Sequence, residues 1–111
     1  MAQKLITKEI EKKLEKRPLY STDGKTTAKS ICKFFNPCGV GTWHVFEGQK
    51  LADGDWLFFG IACIHEMEMG YFRLSDLQSL RLPFGMKVER DIYYTPIPLY
   101  WFQLTVRRPV V

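Results

Sequence analysis

Nine consecutive uncharged residues, Trp56–Ile64 (WLFFGIACI), leave a strand no polar face to turn toward water. With side chains alternating, one face carries Trp56, Phe58, Gly60, Ala62 and Ile64, and the other Leu57, Phe59, Ile61 and Cys63. A strand apolar on both faces must be covered on both, so this one is expected at the centre of a sheet. His65–Gly70 (HEMEMG) then reads as a polar turn and Tyr71–Leu74 as the returning strand.

Cover for one face comes from the N-terminal segment. Thr7–Lys16 reads as a helix with Thr7 as N-cap, Glu9 and Glu11 in its first turns, and Lys16 and Arg17 at its negative end. Ile6, Ile10 and Leu14 form a narrow apolar stripe, and Pro18 ends the helix. Ser75–Arg81 reads as a second, shorter helix with capping-box spacing from Ser75 to Gln78. Between the first helix and the long strand, Ala28–Phe35 and Thr42–Glu47 flank a turn-rich loop, Asn36–Gly41. Pairing Phe34 with Trp43 sets Cys32 opposite Val45, all four on one apolar face, and leaves Lys33 and His44 on the other. Ile92–Thr95 reads as an edge strand, followed by an extended Thr95–Pro98 segment. Tyr100–Val106 (YWFQLTV) is strongly strand-like.

The fold class expected is α+β, a mainly antiparallel sheet of four to six strands packed by an N-terminal helix and a short second helix. The 111 residues suffice for one domain with its own core. Residues 99–111 form a C-terminal extension, either an extra strand of the protein's own sheet or an interface. As an interface it would act through Tyr100, Phe102 and Leu104, and it is one source of the missing lid on the second sheet face.

Three cysteines without paired spacing, and no apolar leader in the first residues, point to a cytoplasmic chain with reduced thiols. The apolar run of nine is about half of the ~20 residues needed to cross a bilayer, so no membrane association is expected. Residues 1–33 hold nine Lys/Arg against four Asp/Glu, whereas residues 34–111 hold seven against eight. The surplus can steer an acidic partner or form a solvated helix face.

Several blocks occur in a telling order: Leu5–Ser21, Lys33–Phe35 with Thr42-Trp43, Trp56–Gly60, Met69–Leu77 and Pro83–Tyr93. The most specific are GYF-x-L-S-x-L at Gly70–Leu77 and P-x-G-x-x-V-E-R-D at Pro83–Asp91. Over roughly residues 4–99 the chain resembles the small bacterial proteins of domain-of-unknown-function family 2958. The resemblance implies an accessory protein of plasmids, phages, integrative elements or gene cassettes, and it supplies no catalytic residues and no cofactor. Tyr100–Val111 is expected to lie beyond it.

No residue pattern calls for a cofactor or a metal. Cys32, Cys38, Cys63, His44 and His65 lack the close ligand pairs of zinc sites. Cys38 with His44 is the one thiol–imidazole pairing a turn could bring together. Glu89-Arg90-Asp91 offers either a recognition site, with Arg90 clamping a carboxylate or phosphate, or ion pairs that pin an irregular segment. With Trp43 and Tyr71 these three make up the candidate binding residues; no catalytic residue is assigned. The leading expectation is an interaction or regulatory module working by protein contact or self-association. A nucleic-acid-binding accessory protein is the alternative, and an enzyme using Cys38 or the Glu89–Asp91 segment carries the least weight.

Overall fold

A computed structural model describes residues 4–103, the side chain of Gln103 excepted. The architecture is α+β. Helix α1 (Lys8–Glu15) precedes strands β1 (Cys32–Phe35), β2 (Thr42–Lys50), β3 (Trp56–Cys63) and β4 (Met67–Arg73). Helix α2 (Leu74–Ser79), a short 3₁₀ turn (Pro83–Gly85), strand β5 (Glu89–Arg90) and helix α3 (Leu99–Gln103) complete it. The five strands form one antiparallel sheet in the order β4-β3-β2-β1-β5. Among the described residues, no helix is long and apolar enough to cross a membrane.

Thr7 caps α1 as its sequence position suggests: its hydroxyl accepts from the Ile10 amide at 3.2 Å. Ile10 and Leu14 face the sheet. There they join Leu5, Ile6, Cys32, Phe34, Trp43, Val45, Trp56, Phe58, Leu77 and Val88 in one buried cluster. The β1–β2 register pairs Phe34 with Trp43 and Cys32 with Val45, as expected.

The other face holds a second cluster of Phe46, Phe59, Ile61, Met69, Leu99 and Phe102. Its lid is α3, and this corrects the expectation of a strand from Tyr100. Aromatic and β-branched residues favour strands, but here the Leu99 and Tyr100 amides donate to the carbonyls of Ala28 and Thr26 at 2.8 Å each. That anchors the first turn of a helix, and Phe102 then drops edge-on onto Phe46. Residues 104–106 of the expected strand lie outside the described residues.

Four other expectations need correction. The apolar strand β3 is second in the sheet and β2 is central, because covered faces, not place in the order, make a strand two-sided. β4 begins at Met67, so the turn before it is shorter than HEMEMG and Met69 is buried in the second cluster. The outer strand next to β1 is Glu89–Arg90 rather than Ile92–Thr95. Nor does Ser75 cap α2. The Asp76 carboxylate accepts from the Arg73 amide (3.0 Å), and Asp55, twenty residues away, accepts from the Ser75 amide (3.1 Å) and hydroxyl (2.6 Å). The Ser75 hydroxyl bond is the main reason the Asp55 carboxyl is held below its ordinary range.

A β-bulge interrupts β2. Val45 pairs with Gly60 but Glu47 pairs with Phe59, leaving Phe46 as the extra residue. A bulge puts two successive side chains on one side of the sheet, so Phe46 and Glu47 both face the second cluster. Glu47 is fully buried. It accepts from the amides of Tyr20 (2.7 Å) and Thr22 (2.8 Å) and from the Thr22 hydroxyl, so the loop after α1 folds around its carboxylate. The Arg17 guanidinium donates to the Phe46 carbonyl at 3.3 Å and to the Lys29 carbonyl at 3.0 Å. Opposite, Gly60 leaves the room: a β-carbon there would lie 1.8 Å from the His44 carbonyl oxygen.

Candidate functional site

Strand β5 sets the directions of the charged triplet. Arg90 pairs with Phe34, and its guanidinium donates to the Lys4 carbonyl and, at 3.3 Å, to that of Leu5. These bonds tie the N-terminal segment to the sheet on the α1 side. Asp91 continues the pairing, its amide donating to the Lys33 carbonyl at 2.9 Å. Its carboxylate lies 3.6 Å from Lys33 Nζ and accepts from the Tyr93 amide at 2.9 Å. Glu89, opposite Phe35, is half-buried. Arg90 and Asp91 thus hold separate pieces of backbone.

His44, beside Lys33 in the register, is buried with its ring 5.0 Å from that of Phe102. Its Nδ1 has no hydrogen-bond partner. Burial, and secondarily the Lys33 charge, push the imidazole down to about 4, against a partial opposing pull from Asp91. Trp43 is buried in the α1-side cluster. Tyr71 is half-buried on the opposite side, 5.1 Å from the Phe59 ring and 6.5 Å from that of Tyr20. The five candidate binding residues are therefore split between the two faces of the sheet.

Of the candidate interface residues, Tyr100 is exposed, Phe102 is buried in the protein's own core, and Leu104 lies outside the described residues. The thiols are equally dispersed. Cys32 is buried, which pushes its pKa up to about 12. Cys38 is exposed and its Sγ donates to the Pro83 carbonyl at 3.6 Å, whereas His44 turns toward Phe102. Among the described residues, no three His, Cys, Asp or Glu side chains are grouped so as to hold a metal ion.

The feature that sequence reasoning missed is Phe84. Within the Pro83–Gly85 turn it takes φ 60°, ψ 24°, a left-handed conformation unusual for a bulky residue. Its side chain is 98 % exposed. The turn is closed by the Met86 amide donating to the Pro83 carbonyl at 3.1 Å, and the Cys38 thiol meets that same carbonyl. The β1–β2 loop behind it is ordered by Asn36, whose side chain accepts from the Cys38 amide (2.7 Å) and donates to the Val40 carbonyl (3.3 Å). Val40 and Met86 are exposed as well. The signal in the sequence was a large aromatic between Pro and Gly, where a left-handed turn favours Gly or Asn.

These elements define a small antiparallel α+β protein with a hydrogen-bonded turn that presents an exposed apolar ring. The chain belongs to the family described as protein of unknown function (DUF2958), whose model matches residues 5–105. Residues 100–105, expected beyond the family resemblance, fall inside that span. No curated protein and no solved structure matches the chain.

Proposed function

We propose that the protein is a small interaction module acting by protein–protein contact, with Phe84 as its anchor. The supporting observation is a ring held wholly in water by a strained backbone. A non-glycine residue in the left-handed region costs about 1–2 kcal/mol, and leaving a Phe unburied forgoes about 1.5–3 kcal/mol. Neither cost has a return inside the described residues, and a fixed, solvent-facing aromatic is the residue type that dominates protein interfaces. The accessory role in a mobile genetic element, and the cytoplasmic setting, belong to the same proposal and rest on the family resemblance and the unpaired thiols.

The test places a photo-crosslinking benzoylphenylalanine at position 84 of the full chain in its native host, with Ile92, also exposed, as the control position. A discrete adduct formed from 84 and absent from 92 is expected, and an adduct of twice the chain mass would identify the partner as a second copy. Equal or absent adducts at both positions would refute the anchor. One observation favours the nucleic-acid alternative. Lys8, Lys12 and Lys16 recur every four residues and are all exposed, and Lys16, Arg17 and Lys25 line a polar hollow beyond the helix end. A salt-sensitive mobility shift of an oligonucleotide, lost on replacing the three helix lysines with glutamine, would favour that reading instead.

A further inference from the structure

We infer that the groove over Trp56 is a binding site for a small organic anion with a flat apolar body. The groove, about 390 Å³, does not include Phe84, and the inference is independent of the function proposed above. Its apolar surfaces include Trp56, Leu74 and Val88, and its cations are Lys4, Lys50 and Lys87. A second hollow of about 290 Å³ shares Glu11, Lys50 and Trp56 with it, extending the trough along α1.

The lysines arrive from three remote parts of the chain, each by a specific device. Arg90 grips the Lys4 and Leu5 carbonyls and so fixes the N-terminal wall. The bulge in β2 puts Lys50 opposite Trp56, on the α1 side of the sheet. Lys87 comes in with its neighbour Val88, which is buried in the α1-side cluster. The described residues hold ion pairs elsewhere, at Glu9–Lys13, Lys33–Asp91 and Asp55–Arg73. Among the described residues, none of the three groove lysines has an ion-pair partner, and Glu11 is the one carboxylate lining the groove itself, with Glu15 further along the second hollow.

Like charges gathered over an apolar floor repel one another, and an anionic ligand relieves that repulsion. The volume suits a small molecule, since such sites run from roughly 300 to 1,000 Å³ and are mostly apolar with a few placed polar groups. Charge selects an anion, the apolar floor selects a ring beside it, and Glu11 and Gln78, which also line the groove, can accept a hydrogen bond from a donor on the ligand.

The probe is 8-anilinonaphthalene-1-sulfonate, with its uncharged relative N-phenyl-1-naphthylamine as the comparison, titrated into the full native chain. Saturable 1:1 binding of the sulfonate, at least tenfold tighter than the neutral compound, is expected. Lys50→Gln and Lys87→Gln should each weaken it roughly two- to fivefold, Lys50→Arg should restore it, and Phe84→Ala should leave it unchanged. The replaced lysines are exposed, so both variants should fold. Equal affinity for the charged and uncharged probes, indifference to the lysine replacements, or loss of binding in Phe84→Ala would each overturn the inference.

Discussion

His44 makes the protein's stability depend on pH in a way that one substitution should remove. The imidazole is buried against Phe102, and its pKa falls from the ordinary 6.5 to about 4. Because the folded value lies below the unfolded one, the unfolded chain binds the extra proton between these limits. Stability from this source is complete above pH 6.5, is lost as the pH falls toward 4, and changes no further below that. From pH 7 to pH 5 the loss works out at about 2 kcal/mol, at 1.36 kcal/mol per pH unit across most of the window. With a urea m-value of about 1–3 kcal/mol/M, the midpoint should drop by roughly 1 M. In His44→Leu the group is gone, and since Nδ1 has no partner no hydrogen bond is broken at that atom. Urea unfolding of both proteins at half-unit intervals from pH 7.5 to 4 should give curves that diverge below pH 6.5. The difference between them cancels the titration of groups common to both, Asp55 among them. Parallel curves across the window would refute the account of His44.

Four further outcomes follow from the packing. Gly60→Ala should abolish stable folding or cost more than about 4 kcal/mol, because its β-carbon would meet the His44 carbonyl at 1.8 Å. Gly70→Ala, its cross-strand neighbour with open space around it, should unfold within a few degrees of the parent in a thermal melt. Arg90→Ala should destabilise the fold by about 1.5–3 kcal/mol and raise amide exchange in the segment whose Lys4 and Leu5 carbonyls it holds; unchanged exchange there would show that the anchor is dispensable. Alkylation followed by mass spectrometry should modify Cys38 first and Cys32 only as the protein unfolds, because Cys32 is buried with its pKa near 12. Equal labelling rates would contradict its burial.

Much of the fold was legible because it rests on alternation. The register of β1 against β2 could be read from Cys32, Phe34, Trp43 and Val45, since a slip by one residue would put apolar side chains in water. The cap at Thr7 was legible for a local reason, a hydroxyl just ahead of the apolar stripe. What escaped depends on distant partners. Nothing local marks Asp55 as the carboxylate at the start of α2, or Glu47 as the acceptor for Tyr20 and Thr22. Leu99–Gln103 has strand propensity and forms a helix because the second sheet face lacked a cover and the carbonyls of Thr26 and Ala28 were in reach. The candidate site was the least legible part. Glu89, Arg90 and Asp91 stood out by charge, yet Arg90 and Asp91 hold backbone, while Phe84 looked like mere punctuation between Pro and Gly.

The bulge at Phe46 divides β2 into two reading frames. Before it, odd-numbered residues such as Trp43 and Val45 face α1; after it, even-numbered ones do, bringing Gly48 under Leu14 and Lys50 opposite Trp56. Deleting Phe46 would close the bulge with Val45 still opposite Gly60 and Glu47 still opposite Phe59, so the downstream frame would survive. Inserting a residue after it would put Glu47 among the α1-side side chains, away from Tyr20 and Thr22. A single-residue insertion here thus acts as a frameshift in space: every residue keeps its identity, but those beyond it exchange inside for outside. The middle of β2 should accordingly tolerate changes of residue far better than insertions.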